Sequence, residues 1–233
     1  MRQIVLDTET TGLEVTQGHR IIEIGCVELV DRRITGSTYQ TYINPDREID
    51  QAAEKVHGIT TSYLEDKPRF AEISGALIDY LEGAELIIHN AGFDVGFLDA
   101  ELKLIRPDFP GIGSICSVLD TLALARQLHP GQRCSLDALC KRYEIDNSSR
   151  VLHGAMLDSQ ILAEVYLVMT GGQTSLLPEL DSGSLSTAKN NNQSLAGVQT
   201  KTKVIYPDQN ELDAHNEWIK KLEQDSDEEP LWR

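Results

Sequence analysis

The 233-residue chain is short of positive charge. It carries 21 Lys and Arg against 37 Asp and Glu, for a formal net charge of −16, and residues 1–172 and 173–233 are each acidic. A protein that grips nucleic acid through bulk electrostatics is basic. Any action on nucleic acid must therefore draw on bound cations, a local pocket, or a partner that already holds the substrate. No apolar run approaches the ~18 residues of a membrane span. The start, Met1-Arg2-Gln3-Ile4-Val5-Leu6-Asp7, has no basic stretch followed by a long apolar one. Neither a membrane segment nor a signal peptide is expected, and the chain reads as cytoplasmic. The cysteines, Cys26, Cys116, Cys134 and Cys140, form no Cys-x-x-Cys pair, so reduced, buried thiols are expected. There is no Gly-rich phosphate loop, because Gly111-Ile-Gly113 lacks the Lys or the third Gly. Ser135, Ser148 and Ser149 have no His and Asp at triad-like positions.

Apolar residues make up 40% of the chain, enough to bury one sizeable α/β core. Composition changes near Gly171-Gly172. Residues 181–197 are rich in Ser, Asn and Gly without an aromatic and read as a flexible linker. Beyond it, Asp208 to about Gln224 has helical spacing, with Leu212, Ala214, Trp218, Ile219 and Leu222 on one arc. The expected organisation is a catalytic domain over 1–172, a peptide and linker over 173–200, and a docking segment over 201–233.

Within 1–172 the patterning predicts strands over Gln3–Thr8, Arg20–Val30, Ile34–Ile43, Glu85–His89 and Ser114–Leu119. Asp31-Arg32-Arg33 is the expected hairpin turn. Helices are expected over Phe70–Glu82, Gly92–Ile105, Asp120–Gln127, Ser135–Tyr143 and Gly154–Thr170. Three strands followed by alternating helices and strands give an α/β domain with a mixed sheet flanked by helices.

Chemistry concentrates at the element ends. Asp7 and Glu9 share one face of the first strand. Two carboxylates beside Ile4-Val5-Leu6 are costly unless a cation lies between them, and oxygen ligands favour Mg²⁺ or Mn²⁺. Asp94 opens a helix that follows a buried strand. His153 precedes a helix, and Asp158 lies in its first turn at the end of an apolar stripe. Singly, each residue also reads as a cap or a solvated strand end. Together they suit one site at one sheet edge. Four carboxylates can hold two cations roughly 3.5–4 Å apart, the arrangement for in-line attack on a phosphodiester. A histidine, with an ordinary pKa near ~6.5, can take the proton of the attacking water.

The blocks Asp7-Thr-Glu-Thr-Thr-Gly12, Asn90-Ala-Gly-Phe-Asp94 and His153-Gly-Ala-Met-Leu-Asp158 resemble the three motifs of the DEDD exonuclease superfamily, in its histidine branch. Ser135-Leu-Asp-Ala-Leu-Cys140, Arg142-Tyr-Glu-Ile-Asp-Asn147 and Asp158-Ser-Gln-Ile-Leu-Ala-Glu-Val-Tyr-Leu167 extend the likeness to the proofreading epsilon subunits of bacterial DNA polymerase III. It covers about residues 1–177, and the tail mainly in Leu231-Trp232-Arg233. The resemblance implies a ribonuclease-H-like fold and removal of 3′-terminal nucleotides from DNA as monophosphates within a polymerase holoenzyme, itself a nucleotidyltransferase. It implies metal ligands at Asp7, Glu9, Asp94 and Asp158, holding two divalent cations, and a general base at His153. Contacts to the terminal nucleotide are implied at Thr10, Gly12, Leu13, Val56, His57, His89, Asn90 and Phe93, with Leu13 as an apolar wedge. Gln173, Leu176 and Leu177 resemble a sliding-clamp-binding peptide, with Thr174 and Leu177 departing from its strongest form. The C-terminal segment is implied to dock the polymerase (alpha) subunit, and a small theta-like accessory subunit often accompanies the family. Two other readings stay open here: an RNA-processing 3′ exonuclease of the same superfamily, and an inactive adaptor bridging clamp and polymerase.

Overall fold

The computed structural model describes residues 1–148, 150, 152–171 and 207–225, without the side chains of 219 and 221–225. Two units are distinguished, Met1–Pro178 and Glu179–Arg233. The first holds a five-stranded sheet in the order β3-β2-β1-β4-β5. The strands are β1 (Arg2–Thr10), β2 (Ile21–Val30), β3 (Arg33–Tyr42), β4 (Glu85–Ile88) and β5 (Ser117–Asp120). β1, β4 and β5 run parallel, and β2 runs antiparallel to both β1 and β3. The helices are α1 (Gln51–His57), α2 (Thr61–Leu64), α3 (Phe70–Leu81), α4 (Ala91–Ile105), α5 (Thr121–Leu128), α6 (Leu136–Tyr143) and α7 (Ala155–Thr170).

Two cores flank the sheet, as alternation along β1 demands. Ile4 and Leu6 point into a cluster with Phe70, Leu77, Phe97 and Leu98 from α3 and α4. Val5 points the other way, into a cluster with Leu139, Leu162, Val165 and Met169 from α6 and α7. Asp7 and Glu9 continue the Val5 row toward α7. Gly25 pairs with Asp7 across β1 and β2, and Ser159 Oγ donates to the Gly25 carbonyl at 2.8 Å. A Cβ at Gly25 would stand 2.3 Å from the backbone of Ala155 and Met156, so this glycine is what lets the start of α7 lie on the sheet.

Several boundaries differ from the sequence expectation. β1 runs two residues further, placing Glu9 inside the strand. The hairpin turn is two residues, Asp31 and Arg32, both at positive φ (47° and 63°), and Arg33 already pairs with Val30. Such a turn matches the twist of the strands it joins. Part of the expected 114–119 strand is a 3-10 turn over Ile112–Ser114. The helices α1 and α2 were not anticipated, being too short to show a period. The four cysteines are free and buried.

In the second unit α8 (Gln209–Asp225) opens with reciprocal side-chain bonds: Asp208 N–H donates to Glu211 and Glu211 N–H to Asp208, both at 2.9 Å. This is a capping box. Leu212 and Trp218 are exposed. Gln173, Leu176, Leu177, Leu231, Trp232 and the expected linker lie outside the described residues. No helix among the described residues is long and apolar enough to cross a membrane.

Candidate active site

The carboxyl ends of the parallel strands are where α/β sheets gather ligands, and the singled-out residues lie there. Asp7, Glu9, His89, Asn90, Phe93, Asp94, His153 and Asp158 line one cleft of about 170 Å³. Glu9 and Asp158 come within ligand distance of a common ion together with His153. Asp7 and Asp94 line the same cleft without joining that tight group. Asn90 holds φ 67°, ψ 52°, a left-handed conformation that asparagine tolerates. That bend turns the chain from β4 directly into α4 and brings Asp94 over the sheet edge. Thr8 Oγ1 donates to Asp94 at 2.7 Å. Asp120 caps α5 by accepting from Leu122 and Ala123, and also accepts from Asn90 N–H at 3.1 Å.

The site is short of compensating charge. Burial, then repulsion from Asp94, Glu9 and Asp158, holds the Asp7 carboxyl well above the usual carboxylate range. Burial, then Asp158 and Glu23, raises Glu9 to about 8. Burial raises Asp94 to about 7, against the Thr8 hydrogen bond that lowers it. Carboxyls raised by burial and by one another are groups that a divalent cation would hold ionised. The donor set is oxygen plus one imidazole, which fits a hard divalent ion.

Sequence reasoning missed one member of this cluster, Arg150. Its guanidinium bridges both Asp158 oxygens, at 2.5 and 2.7 Å, and it meets Asp137 at 2.7 Å and His153 Nδ1 at 2.9 Å. The signal was available: Arg150 is the one Lys or Arg between Arg142 and Lys189. A loop position without periodicity hid it.

A second cleft of about 440 Å³ adjoins the first and shares Thr8, Glu9 and Phe93 with it. Thr10, Gly12, Leu13, Val56 and His57 line it. Leu13, a large apolar side chain, is 78% exposed. Gly12 lies against His19, with which any Cβ would collide. His57 Nδ1 accepts from Ile59 N–H at 3.0 Å, which puts the ring proton on Nε2. Nε2 is buried and has no hydrogen-bond partner among the described residues. Burial lowers the pKa of His57 and of His89, so both favour the neutral ring. His153 N–H donates to the Val56 carbonyl at 3.1 Å, joining the walls of the two clefts.

A family model described as Exonuclease matches residues 4–166. DNA polymerase III subunit epsilon of Escherichia coli (strain K12) is 51% identical, over 92% of this chain and 90% of that protein.

The chain belongs to the DNA polymerase III epsilon family of exonucleases.

The epsilon subunit of Haemophilus influenzae is 49% identical over 99% of this chain and 94% of its own length. Among solved structures, exonuclease X in complex with 5′ overhanging duplex DNA is similar at a TM-score of 0.55 and 29% identity, covering 72% of this chain and 91% of that one. A 3′-exonuclease that recognises a histone mRNA stem-loop shares the fold, with a TM-score of 0.62 at 18% identity over 76% of this chain and 72% of that one. The mixed sheet of this epsilon-family member is the ribonuclease-H-like exonuclease sheet.

Proposed function

We propose that this chain is the proofreading 3′→5′ exonuclease of a bacterial replicative DNA polymerase, hydrolysing 3′-terminal nucleotides to monophosphates. The observation that carries the reading is the convergence of Asp7, Glu9, Asp94, Asp158 and His153 on one cleft, with three of the carboxyls raised above their ordinary range, first of all by burial. The four carboxylates hold two divalent cations, Mg²⁺ or Mn²⁺. When bound, these supply positive charge for the scissile phosphate and acidify water. His153 accepts the proton of the attacking water. Thr10, Gly12, Val56, His57 and Phe93 enclose the terminal nucleoside, and His57 Nε2–H offers a donor to it. Leu13 wedges against the terminal base, and His89 and Asn90 face its phosphate side.

The test is nucleotide release by the purified chain from labelled single-stranded DNA, mismatched-end DNA and RNA. Release from DNA 3′ ends, stopped by a chelator, is expected. A preference for RNA would replace this reading with an RNA-processing one, and inactivity on every substrate would leave an adaptor.

The organisation into a catalytic domain over 1–172, a peptide and linker over 173–200 and a docking segment over 201–233 belongs to the same proposal. The tail delivers the acidic enzyme to its substrate in the cytoplasm. The segment over 201–233 docks the polymerase alpha subunit, Gln173, Leu176 and Leu177 bind the sliding clamp, and a theta-like subunit joins the catalytic domain. Tethering raises the effective concentration at the 3′ end without a basic surface. A chain ending at about residue 200 should lose the polymerase in a pull-down while still degrading free DNA. Gln173→Ala with Leu176→Ala should weaken clamp binding; unchanged affinities in both experiments would remove the tail's role.

A further inference from the structure

Among the described residues Arg150 is the one Lys or Arg lining the acidic cleft, and its placement resembles an occupant more than a wall. Its side chain is 8% exposed, and it meets an Asp158 side chain that is 5% exposed. Both Asp158 oxygens accept from it. A guanidinium has donors only, so its 2.9 Å bond to His153 Nδ1 places that nitrogen's lone pair on Arg150. One side chain therefore engages two of the five residues assigned to catalysis. Its charge also partly offsets the repulsion that raises Asp7 and Glu9.

We propose that Arg150 is the counter-cation of the metal-free site: it holds Asp158 and His153 in place and releases both when a divalent ion binds. The proposal rests on the reading of Asp158 as a metal ligand. The physical ground is competition for the same oxygens. A fork-to-fork guanidinium–carboxylate pair uses the lone pairs that an ion would need. An exit exists on the solvent side, where Asp137, 62% exposed, already holds Nη1 at 2.7 Å. After release, Asp137 keeps the guanidinium paired and the His153 lone pair is free to accept a proton. Arg150 is thus a positioning residue that prevents the buried acids from standing uncompensated between metal-loading events.

This role has an unusual sign. A residue that merely shapes the loop weakens metal binding when it is removed, whereas a competitor strengthens it. Calorimetric titration of the full chain with Mn²⁺ at pH 8 distinguishes the two. Arg150→Ala is expected to bind Mn²⁺ about tenfold more tightly than the parent chain, the cost of one charge-assisted hydrogen-bonded contact, while its chelated form melts lower. Arg150→Lys, a cation without the fork, should fall between them. Arg150→Met keeps the length and apolar stem should the alanine variant not fold, and is expected to follow the alanine result. Equal or weaker Mn²⁺ binding by the uncharged variants overturns the proposal. Absence of Mn²⁺ binding by the parent chain would instead overturn the metal-site reading itself.

Discussion

Asp7→Asn should abolish nucleotide release while making the metal-free protein more stable. With Asp7 in the metal-ligand role proposed for it, its loss removes several kcal/mol of transition-state charge stabilisation, a rate decrease on the order of a thousandfold or more. Stability moves the other way because Asp7 is raised by burial and then by Asp94, Glu9 and Asp158. In the chelated protein Asp7, Glu9 and Asp94 bind protons at a higher pH than they do in the unfolded chain. Between the ordinary carboxylate range and about pH 8, the folded state holds more protons than the unfolded state, so stability falls as pH rises. Asparagine keeps the shape, has nothing to ionise, and relieves Glu9 and Asp94. The gain should be present at pH 8, about 2 kcal/mol or roughly 4–8 °C in melting temperature for a domain of this size. It should shrink as pH falls and vanish only below about pH 3, where the carboxyls are protonated in both states. Thermal melts with chelator at the two pH values read this directly, and a variant that melts lower than the parent at pH 8 would contradict the described electrostatics. Adding Mn²⁺ should stabilise the parent and leave the variant nearly unmoved.

Gly25→Ala should be among the most damaging single-methyl additions in the molecule. The new Cβ would stand 2.3 Å from the backbone of Ala155 and Met156. No flexible side chain can yield there, so α7 must lift from β2 or the strand must bend. Overpacking of this kind costs about 3 kcal/mol, roughly 6–12 °C in melting temperature. The displacement also reaches the site. Gly25 pairs with Asp7, and α7 carries Asp158 one turn past the contact, so activity should fall by more than unfolding explains at temperatures where the variant is folded. A variant matching the parent in both melting and DNA degradation would mean that α7 is not seated as described.

The legibility of this chain was uneven for physical reasons. Strands with one apolar row, and helices of twelve residues or more such as α3, α4 and α7, announce themselves by period. Asp7, Glu9, Asp94 and Asp158 were visible because acids at the ends of apolar runs need an explanation. α1 and α2, with 7 and 4 residues, are too short to show a period and went unseen, although α1 supplies Val56 and His57 to the second cleft. The dual role of Asp120, capping α5 while holding Asn90, was half legible: the cap follows from position, the partner only from the fold. Arg150 was legible solely as an isolated cation. Glu23, 2% exposed, reads in sequence as one more strand residue. In the fold it accepts from Ala155 N–H at 3.1 Å, receives Gln40, and raises Glu9.

The hairpin turn has a mechanical side. Arg32, at its tip, donates to Thr170 Oγ1 at 2.8 Å and to the Leu167 carbonyl at 2.7 Å, gripping the last turn of α7. That helix is sixteen residues long, so its far end lies about 24 Å from its start beside Asp158. Chain leaving at Gly171 is therefore anchored like a cable at a clamp. A pull at Gly171 would thus be shared with the β2–β3 turn, at the end of α7 remote from Asp158.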